Sequence, residues 1–359
     1  MGKVLSITVS NDLLRDRRMH RISDVLIEGG FQVFLLGVQK IDAQCIRLKN
    51  YNQKRVKPIF QNSFLFYLEI NIRFFVKLVK LRPDILYAVD FDTLIANTLY
   101  HKIFKNKMIF DAHEYFTEVP EVHKNKFKKY LWNRIGKWGI ANSDLCLTVG
   151  QKLAEIFSKS YNAKFHTIRN IPPISEQKNH VRQNIFVYLG DLNPGRGLEN
   201  CIKAIEKVDA RLQIIGDGPL RKKLEEMVKM NQLEQKVFFT GYLQPTEISL
   251  HLLRAYAGLN ILDNSSKSYY YSLANKFFDY IHHQIPIIGS QFPEYKEINK
   301  QFQILIPTKN TSSEIAKSMN FLLNNQANVE KMRESCFIAA KELNWSNEKV
   351  KLTTLIKEI

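Results

Sequence analysis

Three stretches in the second half of the chain combine an apolar run, a glycine-rich or polar turn and the start of a helical pattern. The first is Tyr188-Leu189-Gly190-Asp191-Leu192-Asn193-Pro194-Gly195-Arg196-Gly197-Leu198. Backbone N–H groups in such a turn, with the Arg196 guanidinium, suit a diphosphate. The second is Ile214-Ile215-Gly216-Asp217-Gly218-Pro219, a strand and turn with two glycines. The third is Tyr271-Ser272-Leu273-Ala274-Asn275-Lys276-Phe277-Phe278-Asp279-Tyr280, which opens a helix over 271–283 after a polar loop and leaves N–H groups facing outward. Each turn alone only asks for unusual backbone angles; their order and spacing together point to phosphate binding. In the first half, His113 follows an apolar run ending at Asp111, with Glu114 and Glu118 nearby. An imidazole there can donate a hydrogen bond or move a proton, and either glutamate can act as a base or cap the loop. Two further patterns suggest metal. Asp90-Phe91-Asp92 has the D-x-D form that holds a divalent ion against a diphosphate, but it ends a strand far from the glycine turns and reads as site lining. His282-His283 are helix neighbours facing different directions and read as a helix end before Gln284.

The elements that must position these residues alternate strand and helix. Val4–Val9, Phe31–Gly37, Ile85–Val89, Met108–Asp111 and Leu145–Val149 read as buried strands, with helices over 20–28, 64–81, 93–104 and 151–160. Apolar runs without alternation predict parallel strands covered on both faces. Ile171-Pro172-Pro173 and the polar stretch Ser175–Asn184 read as a linker. The pattern then restarts, with strands at 185–189, 212–215, 237–240, 258–262 and 285–288 and helices between them, and helices near 312–324, 329–343 and 348–357 close the chain. The expected architecture is α/β: two Rossmann-like, doubly wound domains facing across a cleft, residues 1–170 and 171–345, with a C-terminal helix over 346–359 packing back on the first. Ligands bind at the carboxyl ends of such strands.

Composition narrows the classes. The 45% hydrophobic and 24% charged residues of the 359 exclude a disordered or fibrous chain. The net charge of +17 is uneven: residues 1–170 hold 28 basic and 15 acidic side chains, residues 171–359 hold 24 and 20. The first half therefore suits an anionic partner. Cys45, Cys146, Cys201 and Cys336 lie far apart with no CxxC spacing, as expected of reduced, mostly buried thiols. Met1-Gly2 with Ser6 fits the loose acylation pattern, but Val4–Val9 reads better as the first strand. No secretory signal or membrane span is expected.

The chain resembles the GT-B glycosyltransferases, family 4, retaining enzymes that use nucleotide-sugar donors. The resemblance runs over nearly its whole length and rests on YLGDLNPGRGLENCIKAI, LQIIGDGPL, VFFTGYLQPTEI, YYYSLANKFFDYIHHQIPII and FDAHEYFTEVPEV. It implies donor binding mainly by the second domain and acceptor binding by the first. It implies donor contacts at Gly190, Arg196, Gly216, Tyr242, Ser272, Leu273, Asn275, Lys276 and Asp279, and catalytic places for His113 and Glu114. The family has two glutamates separated by seven residues. Asp279 stands at the second, the ribose position, and a shorter carboxylate still accepts two hydroxyl hydrogen bonds. Tyr271 stands at the first, the sugar position, and the turn after it follows an S-L-P-N-K-like subgroup pattern. Asp191 and Arg196 stand at the family's basic pair, with Lys276 as a compensating cation.

The resemblance thus implies transfer of a sugar from a UDP- or GDP-sugar to a hydroxyl of a glycan or lipid-linked acceptor, in cell-surface polysaccharide or glycolipid assembly. It implies no cofactor and no metal. A cytoplasmic enzyme, peripheral on the inner face of the plasma membrane, fits the charge. Of two basic, aromatic stretches, Phe64–Arg82 reads as a core-packed helix with charged ends. Val122–Trp138 reads as contacting an anionic membrane or a lipid-linked acceptor. The alternatives are a non-catalytic GT-B-like subunit that binds a glycan or a partner, suggested by Tyr271, and a GT-B-shaped epimerase or phosphorylase. A basic nucleic-acid binder is disfavoured because no recognition motif accompanies the charge.

Overall fold

Short apolar runs rich in Val, Ile, Leu and Phe cannot stay in water, and when both faces need cover they form parallel sheets sandwiched by helices. The computed structural model describes residues 2–14, 16–39, 45, 49–61, 63–174 and 181–359; 175–180 of the expected linker lie outside the described residues. The chain divides into two units, Met1–Asn170 with Glu348–Ile359, and Ile171–Asn347.

Unit 1 runs β1 (Val4–Thr8), α1 (Arg17–Glu28), β2 (Gln32–Val38), β3 (Asn52–Val56), α2 (Ser63–Leu81), β4 (Ile85–Val89), α3 (Leu94–Phe104) and β5 (Lys107–Ala112). It continues with α4 (Pro120–His123), α5 (Lys126–Ile140), β6 (Leu145–Thr148), α6 (Gln151–Tyr161) and β7 (Phe165–Thr167). The sheet order is β3-β2-β1-β4-β5-β6-β7, and every pairing is parallel. All five residues of β4 are buried, as a central parallel strand requires. Two strands escaped the sequence pattern. β3 reads Asn-Gln-Lys-Arg-Val, a polar edge strand, and β7 is a three-residue edge; edges take part in a sheet without an apolar run.

Unit 2 runs β8 (Ile185–Leu189), α7 (Leu198–Ile205), β9 (Arg211–Ile215), α8 (Arg221–Met230), β10 (Val237–Gly241), α9 (Pro245–Arg254) and β11 (Ala257–Asn260). It continues with α10 (Lys267–Tyr270), α11 (Asn275–His282), β12 (Ile287–Gly289), α12 (Pro293–Phe302), β13 (Leu305–Pro307), α13 (Ser312–Asn324) and α14 (Gln326–Glu342). α15 (Trp345–Lys357) closes the chain. The order is β10-β9-β8-β11-β12-β13, again parallel. The helix expected over 271–283 is shorter and starts at Asn275; α10 is a separate turn before it. Two apolar clusters cover the sheet, one including Phe186, Leu198, Ile202 and Leu212, the other Val187, Phe277, Ile281 and Ile287. Each such side chain stabilises the fold by roughly 1.5–3 kcal/mol relative to exposure.

In both sheets the strand order reverses beside the first strand, between β1 and β4 and between β8 and β11. The loops that leave these strands at their carboxyl ends part there and leave room for a ligand.

The expectation that Phe64–Arg82 packs into the core is corrected. Of α2 only Ile70, Asn71, Phe74 and Leu78 are buried, and six of its apolar residues are exposed.

Candidate functional site

In unit 1, β1, β4 and β5 end side by side and deliver a charged cluster. Asp111, in β5, is fully buried. Its carboxylate accepts from Arg18 Nη2 at 2.9 Å and Nε at 3.0 Å, from Tyr87 Oη at 2.8 Å, and lies 3.3 Å from His113 Nε2. Arg18 comes from the first turn of α1 and also donates from Nη1 to the Ile168 carbonyl at 2.7 Å. A buried carboxyl resists ionisation, but the guanidinium and then the imidazole outweigh that cost and hold Asp111 well below the usual carboxylate range.

His113 sits between two carboxylates. Its backbone N–H donates to Asp90 Oδ1 at 2.8 Å, and its Nδ1 lies 3.7 Å from Asp90 Oδ2. Burial pulls the imidazole down; Asp90 and then Asp111 reverse that and push it up to about 9. His113 is therefore an imidazolium at neutral pH. Asp90 holds φ at +55°, a left-handed angle rare for a residue with a Cβ, and its N–H donates to the Asp111 carbonyl at 2.9 Å. Burial pushes the Asp90 carboxyl up to about 7 and that of Asp92 up to about 6. Asp92 turns instead to Ser10 Oγ, at 2.5 Å. The two carboxylates of the D-x-D pattern thus serve different partners, and Asp90 lines the histidine cluster. Glu114 is exposed, while Glu118 is buried and tied to His123 Nδ1 at 2.8 Å and Lys129 Nζ at 2.5 Å, a brace for α5. The sequence reading singled out His113 but not Arg18 or Tyr87 as its indirect partners. The signal was present in Asp90 and Asp111, each closing an adjacent parallel strand.

In unit 2 the loops after β8, β9 and β11 meet. Gly190 has φ +130° and Gly216 φ +138°. A Cβ on Gly216 would lie 2.0 Å from the Gly190 carbonyl oxygen, so two backbones touch where no side chain fits. Gly190 N–H donates to the Ile215 carbonyl and Leu192 N–H to the Asp217 carbonyl, bracing the two turns. A Cβ on Gly190 would stand 3.6 Å from Lys276 Nζ, which places that ammonium over the turn. Lys276 is buried, and its Nζ lies 3.5 Å from the Tyr188 ring centroid. Burial, then repulsion from Arg196, holds it well below the ordinary lysine range. The Arg196 guanidinium lies over Tyr269, 4.9 Å from the ring centroid. The Tyr269 hydroxyl donates to the Pro194 carbonyl at 3.2 Å and Asp263 N–H to the Gly195 carbonyl at 2.9 Å, so the loop after β11 holds the loop after β8.

The structure thus brings Gly190, Gly216, Arg196 and Lys276 together. Ser272 is committed elsewhere: its N–H and Oγ both donate to the Tyr269 carbonyl, and Ala274 N–H donates to the Tyr295 hydroxyl. The amides of Leu273, Asn275 and Lys276 have no protein hydrogen-bond partner among the described residues. They provide an anion-seeking helix start. Asp279 is half-buried in α11, and Tyr242 is exposed one residue beyond Gly241, whose carbonyl accepts from Gly216 N–H. His282 is buried with Nε2 2.6 Å from the Leu343 carbonyl, and His283 contacts Ser249 Oγ at 2.9 Å. They secure the helix end, where Gln284 takes φ +51°. Among the described residues no group of three or more His, Cys, Asp or Glu is placed to hold a metal, and no helix is long and apolar enough to cross a membrane.

Gly216→Ala is expected to remove about 3 kcal/mol or more of stability, because the new Cβ runs into the Gly190 backbone at a φ that alanine avoids. Denaturant unfolding checks this, and a loss below about 0.5 kcal/mol would contradict the braced-turn geometry. A second expectation concerns pH. The folded value of His113 lies above the unfolded value near 6.5, so its stabilisation is complete below that pH and is lost as pH climbs through about 9. His113→Asn is expected to abolish roughly 2–3 kcal/mol of pH-linked stability between those limits. Unfolding curves of both proteins at either end of the window measure the difference.

Two parallel Rossmann-like domains of seven and six strands, each with its polar residues at a topological switch point, define the GT-B fold. Residues 170–342 match the family described as "Glycosyl transferases group 1". That match covers most of the second unit. The whole chain is similar in structure to sucrose-phosphate synthase from Thermosynechococcus elongatus (TM-score 0.78, 12% identity, 99% of this chain and 98% of that one). It is also similar to Anabaena HepE in complex with UDP-glucose (0.76, 11%, 100% of both chains). A third is WaaG, a glycosyltransferase involved in lipopolysaccharide biosynthesis (0.71, 14%, 98% and 99%). No curated protein matches by sequence.

Proposed function

We propose that this chain is a retaining glycosyltransferase of the family 4 type that moves a sugar from a nucleoside-diphosphate donor to a hydroxyl acceptor. The observation that carries this reading is the braced pair of glycine turns under Lys276 and Arg196, beside the open amides of α11, within the residues that match the group 1 family. Such a site suits a diphosphate: cations and aligned N–H groups meet negative charge as the bond from the sugar to the β-phosphate breaks. UDP-sugars and GDP-sugars are the donor classes, and the UDP-glucose complex of HepE favours the former. Asp279 receives the ribose hydroxyls. His113, charged at neutral pH, donates a hydrogen bond to a sugar hydroxyl, with Glu114 as an exposed carboxylate nearby. The reaction needs no metal in this reading. The acceptor is a glycan or lipid-linked hydroxyl in cell-surface polysaccharide or glycolipid assembly.

The test is a panel of UDP- and GDP-sugars, read first by thermal shift, since a bound ligand raises apparent stability, and then by transfer or hydrolysis. Absence of nucleotide binding overturns the reading. That outcome favours the second reading, a non-catalytic GT-B-like subunit that binds a glycan or a partner. Tyr271 favours that reading, because an aromatic ring, 5.0 Å from Tyr270 centroid to centroid, stands at the sugar-contacting carboxylate position.

A further inference from the structure

The outward face of unit 1 holds a surface that the glycosyl transfer reading does not use. α2 exposes Phe64, Leu65, Leu68, Ile72, Val76 and Val79. At about 100° per residue these fall within a stripe about 120° wide, and the buried Ile70, Asn71, Phe74 and Leu78 fall in a separate arc about 100° wide. Arg73, Lys77 and Lys80 lie along one border of the stripe. α3 packs against both α2 and α5, so the three form one layer. α3 exposes Leu99, Ile103 and Phe104, and α5 exposes Phe127, Tyr130 and Trp138. A soluble surface rarely keeps so many large apolar side chains together without a partner.

Charge identifies the partner. The three helices carry nine Lys and Arg and a single Glu. That Glu69 is already engaged by the N–H groups of Ile59 and Phe60 and by Arg73. A second copy of this chain would bring two such cationic faces together, which costs several kcal/mol in like-charge repulsion. An anionic lipid surface instead offers headgroup phosphates to the basic border and an acyl boundary to the apolar stripe. The four charged residues of α2 keep it from crossing the bilayer. We propose that α2, α3 and α5 form a docking face for an anionic membrane, with α2 lying in the interface as the wedge. This goes beyond the proposed transfer activity and does not depend on it. It also reverses the weighting of the two basic stretches, since α2 contributes more exposed apolar surface than α5.

The test uses the full chain with neutral phosphatidylcholine vesicles and with vesicles in which about a third of the lipid is phosphatidylglycerol, at about 0.1 M salt. Binding to the anionic vesicles at least tenfold above the neutral ones is expected. Trp132 and Trp345 are buried, so a blue shift of the intrinsic fluorescence on binding reports Trp138 entering an apolar environment. Ile72→Glu with Ile103→Glu, and separately Lys77→Glu with Lys80→Glu, are each expected to lower the partition at least tenfold. Both pairs leave the unfolding midpoint and any nucleotide thermal shift unchanged, since all four side chains are exposed. Equal binding to both vesicle types overturns the proposal. So does wild-type binding by either double variant, or adsorption with no fluorescence shift. A dimer in sedimentation that Ile72→Glu dissolves would assign the face to self-association and overturn it as well.

Discussion

Arg18→Ala is expected to remove about 3–5 kcal/mol of folding stability at pH 7, the range for stripping one partner from a buried ion pair. Arg18 and Asp111 are 2% and 0% exposed and share two hydrogen bonds, and a third joins Arg18 to the Ile168 carbonyl. Alanine would leave an anion in a site with only Tyr87 and His113 to face it. The loss is expected to depend on pH in a defined direction. Asp111 is depressed in the folded protein, so its stabilisation is present above the unfolded value near 3.9 and fades as pH falls below it. In the variant Asp111 protonates far more readily, and the difference from wild type shrinks as pH drops toward 4. Arg18→Lys keeps the charge but not the two-pronged geometry and should fall between the two. Chemical unfolding of the three proteins at pH 7 and near pH 4 provides the check; a uniform loss at both pH values would mean that packing, not charge, is at stake. The same variant releases His113 from its fixed carboxylate, so under the proposed function turnover falls further than stability alone predicts.

The second large effect is on ligand affinity. Lys276→Met is expected to weaken binding of a nucleoside diphosphate about 10- to 100-fold while leaving the free protein equally or more stable. The two effects have opposite signs for one reason. In the free protein the ammonium is buried against Tyr188 and repelled by Arg196, so methionine, which fills the stem's space without a charge, relieves a cost. In the complex that ammonium meets phosphate, and a hydrogen bond to a charged group contributes about 1.5–3 kcal/mol. Titration calorimetry with the nucleoside diphosphate reads the affinity. Equal affinity in the methionine variant would remove Lys276 from the site; a large loss of stability would show that its charge holds the fold instead.

Much of this was legible in the chain itself. The run of β4 is apolar in every residue and could only be a central strand. The glycines at 190, 195, 197, 216 and 218 marked turns in strand–turn–helix order, and His113 stood out just past β5. The edge strands β3 and β7 were not legible, because an edge needs no apolar face. Which amides stay open was not legible either, because at a helix start that depends on where the preceding turn closes. Here Tyr269 takes the Ser272 N–H, and a distant hydroxyl, that of Tyr295, takes the Ala274 N–H.

Local pattern by itself determined the α/β class, the parallel sheets, the break near residue 171 and the uneven charge, since periodicity, apolar runs and ionisable side chains are local properties. Only the tertiary structure decided which charges meet. Arg18 and Asp111 are separated by 93 positions in the chain and become a buried pair because β1, β4 and β5 end at one switch point. The same sheet order leaves the apolar stripe of α2 facing outward, which its composition alone, read as a core helix, had concealed.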